Sequence, residues 1–203
     1  PTPLIRSRRQ RQMCIRDRDP TIYGALKTAA GELVDQGVRA VTGDCGFMAL
    51  HQQRLARDLE IPVFLSSLLQ IPFMLSILGE GSKVGVLTAD GRSLDETLLA
   101  AVGVTDADRL VVEGLEEQPH FHRFAIQETG TLDTEKVAAE VVGAGRHLLA
   151  RDETIKALLL ECSLLPPYAA ALQTAVQVPV FDYITMINFV FSTVVKQSYE
   201  GFV

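Results

Sequence analysis

The feature that most restricts what this chain can fold into is that it repeats itself. The segments GVRAVTGDCGF, residues 37–47, and TIKALLLECSL, residues 154–164, match in residue type when shifted by 117 positions. At the same shift Leu55 meets Leu172, and Ile61-Pro62-Val63-Phe64 meets Val178-Pro179-Val180-Phe181. Cys45 and Cys162 each stand 17 residues before the proline of that second motif. Each copy reads as a short β-prone run, an acid followed by a cysteine, a helical pattern and a second short strand. Two such copies pack as pseudo-symmetric halves, and ligands of open α/β sheets gather at the carboxyl ends of the strands. The spacing therefore predicts two cysteines facing each other across one cleft. Filling a core position is the commonest fate of a cysteine, but that does not explain why it returns in the same register, behind an acid, at a strand-to-helix turn.

The remaining chain keeps the rhythm of a parallel α/β protein. Ile22, Leu26, Ala29, Ala30, Leu33 and Val34 recur at helical spacing over residues 20–36, with Pro20 in the first turn and Gly37 after the last. Strands are expected at 38–42, 61–65, 83–88, 109–112, 155–161 and 178–181, with helices at 48–59, from 68, and at 93–101, 134–150, 166–175 and 185–196. Helices and strands alternating through short links imply an α/β fold of two pseudo-symmetric parallel-sheet halves with an active-site cleft between them. The halves are expected at residues 19–80, joined by a C-terminal helix over 184–203, and at 81–183. That last helix is apolar on several faces and is expected to be largely buried. Residues 113–132 are polar and irregular, a lid or a surface excursion.

Composition narrows the partner. With 203 residues, 47% of them apolar, the chain can bury a substantial core. A net charge of −6 and a pI near 5.2 remove the basic footprint of a nucleic-acid binder, which leaves a small molecule or another protein. Three cysteines, an odd number, argue against a disulfide framework and for a reducing compartment, with the cytoplasm as the expected location. The most apolar stretch, residues 61–78, is broken by prolines, serines and a glutamine and does not read as a membrane span. The first 18 residues hold six arginines against one aspartate, a composition that a transit peptide permits, though without an amphipathic period. Within them Met13 to Arg18 resembles the translation of a transposon-end sequencing adapter. Residues 1–18 are therefore expected to be non-native or disordered, which sets Cys14 outside the chemistry.

Inverting a carbon centre by proton transfer needs one group to remove a proton from one face and another to deliver one to the opposite face, and two thiols suit this. A thiol pKa of about 8.5 falls near a helix amino terminus, so thiol and thiolate coexist near neutrality. The amides of Gly46, Phe47, Ser163 and Leu164 are candidate donors to the enediolate that forms when a proton leaves the carbon beside a carboxylate. Asp44 and Glu161 either tune the thiols or, since strand side chains alternate, point away. Ser66 and Ser67 line the cleft or cap the helix that follows. His51 falls at an expected solvent-facing position. His120 and His122 form a His-x-His pair with no third ligand at plausible spacing, so no metal is expected, and residues 79–85 lack a phosphate-loop pattern.

The segments GDCGF, IPVFLSSLLQ, VGVLTADGRSL, LLLECSLLPPYAAAL and VPVFDYITMINFV resemble the aspartate/glutamate racemase superfamily, over residues 19–202. The resemblance implies a pseudo-twofold pair of α/β domains, no cofactor, cysteine acid/base catalysis and a small carboxylate as substrate, and leaves a homo-oligomer open. By position it makes Cys45 and Cys162 the catalytic pair and Gly46, Phe47, Ser67, Thr88 and Ser163 the substrate contacts. The implied function is a racemase or isomerase acting at the carbon next to the carboxylate of a small amino acid or related acid. Maleate cis-trans isomerisation and arylmalonate-type decarboxylation are the alternatives on the same fold, and a catalytically silent ligand- or partner-binding module is the non-enzymatic one. Two departures stand out. Gly46-Phe47 occupy the place where glutamate-type racemases usually carry Asn-Thr, and the hydrophobic strand and substrate-contacting loop that usually precede the first helix are missing. The native start is thus expected to be lost, leaving the first half one strand short and the chain poorly active.

Overall fold

The structure, a computed structural model, describes residues 19–198 and 201. Residues 1–18, with Cys14 and the expectation of a non-native segment, lie outside the described residues. Six strands are found among those described: β1 Val41–Thr42, β2 Val63–Phe64, β3 Lys83–Thr88, β4 Leu110–Gly114, β5 Ile155–Leu160 and β6 Val180–Phe181. Every pairing is parallel, in a two-stranded sheet β1-β2 and a four-stranded sheet of order β4-β3-β5-β6. The helices are α1 Tyr23–Asp35, α2 Gln52–Asp58, α3 Ile71–Ile77, α4 Glu96–Ala101, α5 Pro119–Phe121, α6 Thr134–Arg151, α7 Ala169–Val176 and α8 Tyr183–Val194. The α/β class with parallel sheets is as the sequence reads. The outer strands are shorter than their apolar runs.

The central strands are buried on both faces, which is why VGVLT and ALLL are nearly continuous apolar runs. Val84, Val86, Ala157 and Leu159 face one core with Leu55, Leu65, Leu68 and Ile71, while Leu87, Leu158 and Leu160 face a second core with Val141, Leu148 and Leu172. Ile155 joins the second core out of parity because the register slips there: Lys83 lies opposite Ile155 but Val84 lies opposite Ala157, so Lys156 is bulged out.

The repeat survives down to single hydrogen bonds. Val41 pairs with Val63 and, 117 positions on, Leu158 pairs with Val180. The Val41 N–H donates to the Pro62 carbonyl at 3.0 Å, and the Leu158 N–H donates to that of Pro179 at 2.8 Å. At the turns, the Met48 N–H donates to the Cys45 carbonyl at 3.1 Å and the Leu165 N–H to the Cys162 carbonyl at 3.0 Å. Helices α2 and α7 begin at equivalent positions, and Leu55 and Leu172 are both fully buried. What is duplicated is therefore one ladder, one cysteine turn and one helix.

Three expectations are corrected. Helix α8 is not largely buried: Tyr183, Met186 and Val190 form one buried stripe against Ala40 and Phe64, whereas Ile184 is 50%, Phe189 66% and Phe191 56% exposed. Apolar residues on several faces do not bury a helix when only one face meets a neighbour. His51 is buried, not solvent-facing, because it ends a 3-10 turn packed on α1, with its ring 6.1 Å from that of Tyr23. Residues 113–132 are anchored in part: Phe121 is fully buried, and the Glu140 carboxylate accepts the N–H groups of His120 at 2.9 Å and Phe121 at 2.8 Å. Among the described residues no group of three or more His, Cys, Asp or Glu side chains is placed to hold a metal ion. None of their helices is long and apolar enough to cross a membrane.

Candidate active site

The carboxyl ends of β1 and β5 carry the two copied turns, Asp44-Cys45-Gly46 and Glu161-Cys162-Ser163. Both cysteines are thiols; Cys45 is buried and Cys162 partly exposed. Cys45 belongs to the first core and Cys162 packs against the second, on opposite faces of the large sheet. Beyond the strand ends the turns meet. The Ser163 hydroxyl donates to the Asp44 carbonyl. Gly46 is pressed against Glu161 so closely that a Cβ there would stand 1.6 Å from Oε1.

Glu161 is the hub of this junction. Its N–H donates to the Leu87 carbonyl at 2.8 Å, its own carbonyl accepts the Ser67 hydroxyl at 2.9 Å, and its Oε2 accepts the Thr88 hydroxyl at 2.7 Å. Oε1 has no hydrogen-bond partner among the described residues. Tyr183, at the start of α8, donates its hydroxyl to the Leu65 carbonyl at 3.1 Å and accepts the Ser67 N–H. Burial pushes this phenol well up, and the charges of Glu161, Cys45 and Cys162 push it further. One phenol thus lies within electrostatic reach of both thiols and the buried acid. An open cleft of about 450 Å³ runs between the two turns, lined by Gly43, Asp44, Ser163, Pro166, Pro167 and Tyr183.

Burial raises the Glu161 carboxyl from 4.5 to about 7, with the Thr88 hydroxyl pulling the other way. Between those two pH values the folded chain keeps a proton that the unfolded chain has released, so stability falls as pH rises through this window. The displacement from 4.5 to about 7 corresponds to roughly 3 kcal/mol. Urea unfolding at pH 5 and pH 8 is expected to show that loss on the alkaline side, and Glu161→Gln is expected to abolish it. Equal pH dependence in both proteins would show that Glu161 is not the group responsible.

Of the residues singled out from sequence, Cys45, Gly46, Cys162, Ser163, Ser67 and Thr88 converge on the two turns. Ser67 and Thr88 are fully buried and donate their hydroxyls to Glu161, so they stand behind the cleft wall. Phe47 sends its side chain into the first core, leaving only its amide near the turn. Ser66 caps the following turn by accepting the Leu68 N–H. His120 and His122 sit apart, the first at the start of α5 and the second with its ring on the Glu116 carbonyl. The residue missed is Tyr183. The repeat register alone would have found it, since Tyr183 is the counterpart of Ser66, just beyond the second copy's closing strand.

No protein-family model matches the chain. Among solved structures, a glutamate racemase isoform from Bacillus anthracis superposes with a TM-score of 0.56 at 16% identity, over 86% of this chain and 67% of that one. An aspartate racemase homologue from Pyrococcus horikoshii OT3 gives 0.57 at 20% identity, over 83% and 72%. Unliganded arylmalonate decarboxylase gives 0.53 at 14% identity, over 89% and 78%. The chain shares the fold of these racemases and of arylmalonate decarboxylase. In sequence it is similar to dimethylsulfoniopropionate lyase 3 of Emiliania huxleyi (strain CCMP1516), 36% identical over 165 residues, 77% of this chain and 42% of the relative. It is also similar to the dimethylsulfoniopropionate lyase of Durusdinium sp. clade D, 31% identical over 159 residues, 76% and 52%. The chain spans about half or less of the length of these curated relatives.

Proposed function

We propose that the two cysteine turns form an enzyme site that removes a proton from the carbon next to a carboxylate, and that the reaction is a β-elimination expelling a thioether from a sulfonium-bearing acid such as dimethylsulfoniopropionate. The observation that carries this reading is the unequal dressing of the two copies. Cys162 is partly exposed and follows a fully buried Glu161; Cys45 is buried and follows an exposed Asp44. Inversion runs in both directions and needs an acid and a base of similar standing on either face. Elimination runs one way and needs a single base.

In this reading the Cys162 thiolate takes the proton at Cα. The electron pair of that C–H bond becomes the Cα–Cβ π bond, the Cβ–S bond breaks, and its pair leaves on sulfur. The products are an α,β-unsaturated carboxylate and a neutral thioether, which needs no proton to depart. Backbone N–H groups at Gly46 and Ser163 are the donors for the charge that builds on the carboxylate. The Asp44 carboxylate, on the cleft rim, is the counter-charge for the sulfonium. Incubating the protein with dimethylsulfoniopropionate is expected to release dimethyl sulfide into the headspace above the buffer blank. Asp44→Asn is expected to raise KM about two- to fivefold, the size of one exposed ion pair, with kcat nearly unchanged. No thioether from the purified chain or from its longer relatives under the same conditions would end this reading.

A second reading, racemisation by alternating thiols, is supported by the matching hydrogen bonds at the two turns. It requires both cysteines equally and would exchange the Cα proton of recovered substrate with solvent.

A further inference from the structure

We infer that Glu161 is a positioning residue common to both thiols: its carboxyl, wedged between Gly46 and Thr88, is the charge that sets how readily Cys45 and Cys162 ionise. This deepens the proposed function, resting on both cysteines serving one site. Glu161 immediately precedes one cysteine, and its Oε1 abuts the glycine that immediately follows the other. Among the described residues the equivalent acid, Asp44, is exposed on the cleft rim. The groups facing Glu161 are the Thr88 hydroxyl from β3, Ser67 from the turn ahead of α3, Gly46 from the turn after β1 and Tyr183 from α8. The titratable ones are Tyr183 and the two thiols, and no lysine or arginine pairs with Glu161 among the described residues.

A buried acid without a cation and with one oxygen unpartnered is a poor way to fill space, since a neutral side chain of the same shape avoids the cost of desolvating charge. What only an acid can do is change charge. Neutral, Glu161 leaves the thiols to ionise unopposed. Ionised, it places a like charge in a water-poor region beside both turns and opposes thiolate formation. Its protonation near pH 7 means that this opposition is present across the range of higher pH in which thiolates form.

The test reads thiol chemistry rather than turnover, so its outcome is separate from that of the elimination reading. The purified chain and Glu161→Gln are pulsed with iodoacetamide from pH 6 to pH 10, and labelling at Cys45 and Cys162 is quantified by peptide mass spectrometry. In Glu161→Gln the labelling midpoint is expected to move to lower pH, with about three- to tenfold faster labelling at pH 8. A midpoint that stays or moves to higher pH overturns the inference. Infrared difference spectra of the unmodified chain decide the matter even if that variant fails to fold. A protonated-carboxyl band is expected below pH 7 and should vanish above it. In Thr88→Val the band should persist to higher pH, because the hydroxyl that favours the ionised form is gone. The lack of any such band between pH 5 and pH 6 shows Glu161 ionised throughout and equally overturns the inference.

Discussion

Cys162→Ala is expected to cut thioether release from dimethylsulfoniopropionate about 10²- to 10⁴-fold, the range lost when a positioned base is removed, while Cys45→Ala costs less than about tenfold. The contrast follows from elimination needing one base and a leaving group that departs without a proton. It also follows from exposure: Cys162 is partly exposed next to the cleft-lining Ser163, and Cys45 sits buried in the first core. Initial rates by headspace analysis, with circular dichroism to confirm folding, separate the possibilities. An equal collapse in both variants favours the two-base mechanism of racemisation. Unchanged rates in both would remove cysteine from the chemistry altogether.

The second large effect is expected at Gly46→Ala. The added methyl would lie 1.6 Å from Glu161 Oε1, 2.4 Å from its Cδ and 2.8 Å from its Cγ. Glu161 cannot swing aside cheaply. Its N–H continues the β5 ladder onto the Leu87 carbonyl, its own carbonyl accepts the Ser67 hydroxyl, and its other oxygen is tied to Thr88. Overpacking of this kind costs about 1–3 kcal/mol and more where the neighbour is held, and both cysteine turns should shift with it. A fall in the urea midpoint together with loss of turnover is the expected result. The double variant Gly46→Ala/Glu161→Ala should recover most of the stability, because the clash lies between these two residues. Strictly additive losses would show that Gly46 is needed for another reason.

These residues also show what could be seen beforehand. The cysteine register was legible because a shift of 117 positions is an integer that no loop geometry can blur, and the matching ladders and turns keep it. The buried parallel strands were legible because VGVLT and ALLL have no polar face to offer water. Glu161 was not, since alternation along a strand ends where the strand ends. Its direction is decided by three distant contacts at Gly46, Ser67 and Thr88 that no local pattern contains. No local pattern marks Tyr183 either, its partners Leu65 and Ser67 lying far back in the chain, and only the repeat register points to it. The exposure of α8 was missed because periodicity tells which faces are apolar but not which of them meets a neighbour.

The proposed chemistry turns on a proton leaving the carbon beside the carboxylate. The most direct measurement gives the chain dimethylsulfoniopropionate carrying two deuterons at that carbon and follows the products by mass spectrometry and deuterium NMR. Acrylate with a single deuteron, formed in step with dimethyl sulfide and with the other deuteron in the water, is the expected result. A three-carbon product that keeps both deuterons, or no product above the buffer blank, would contradict it.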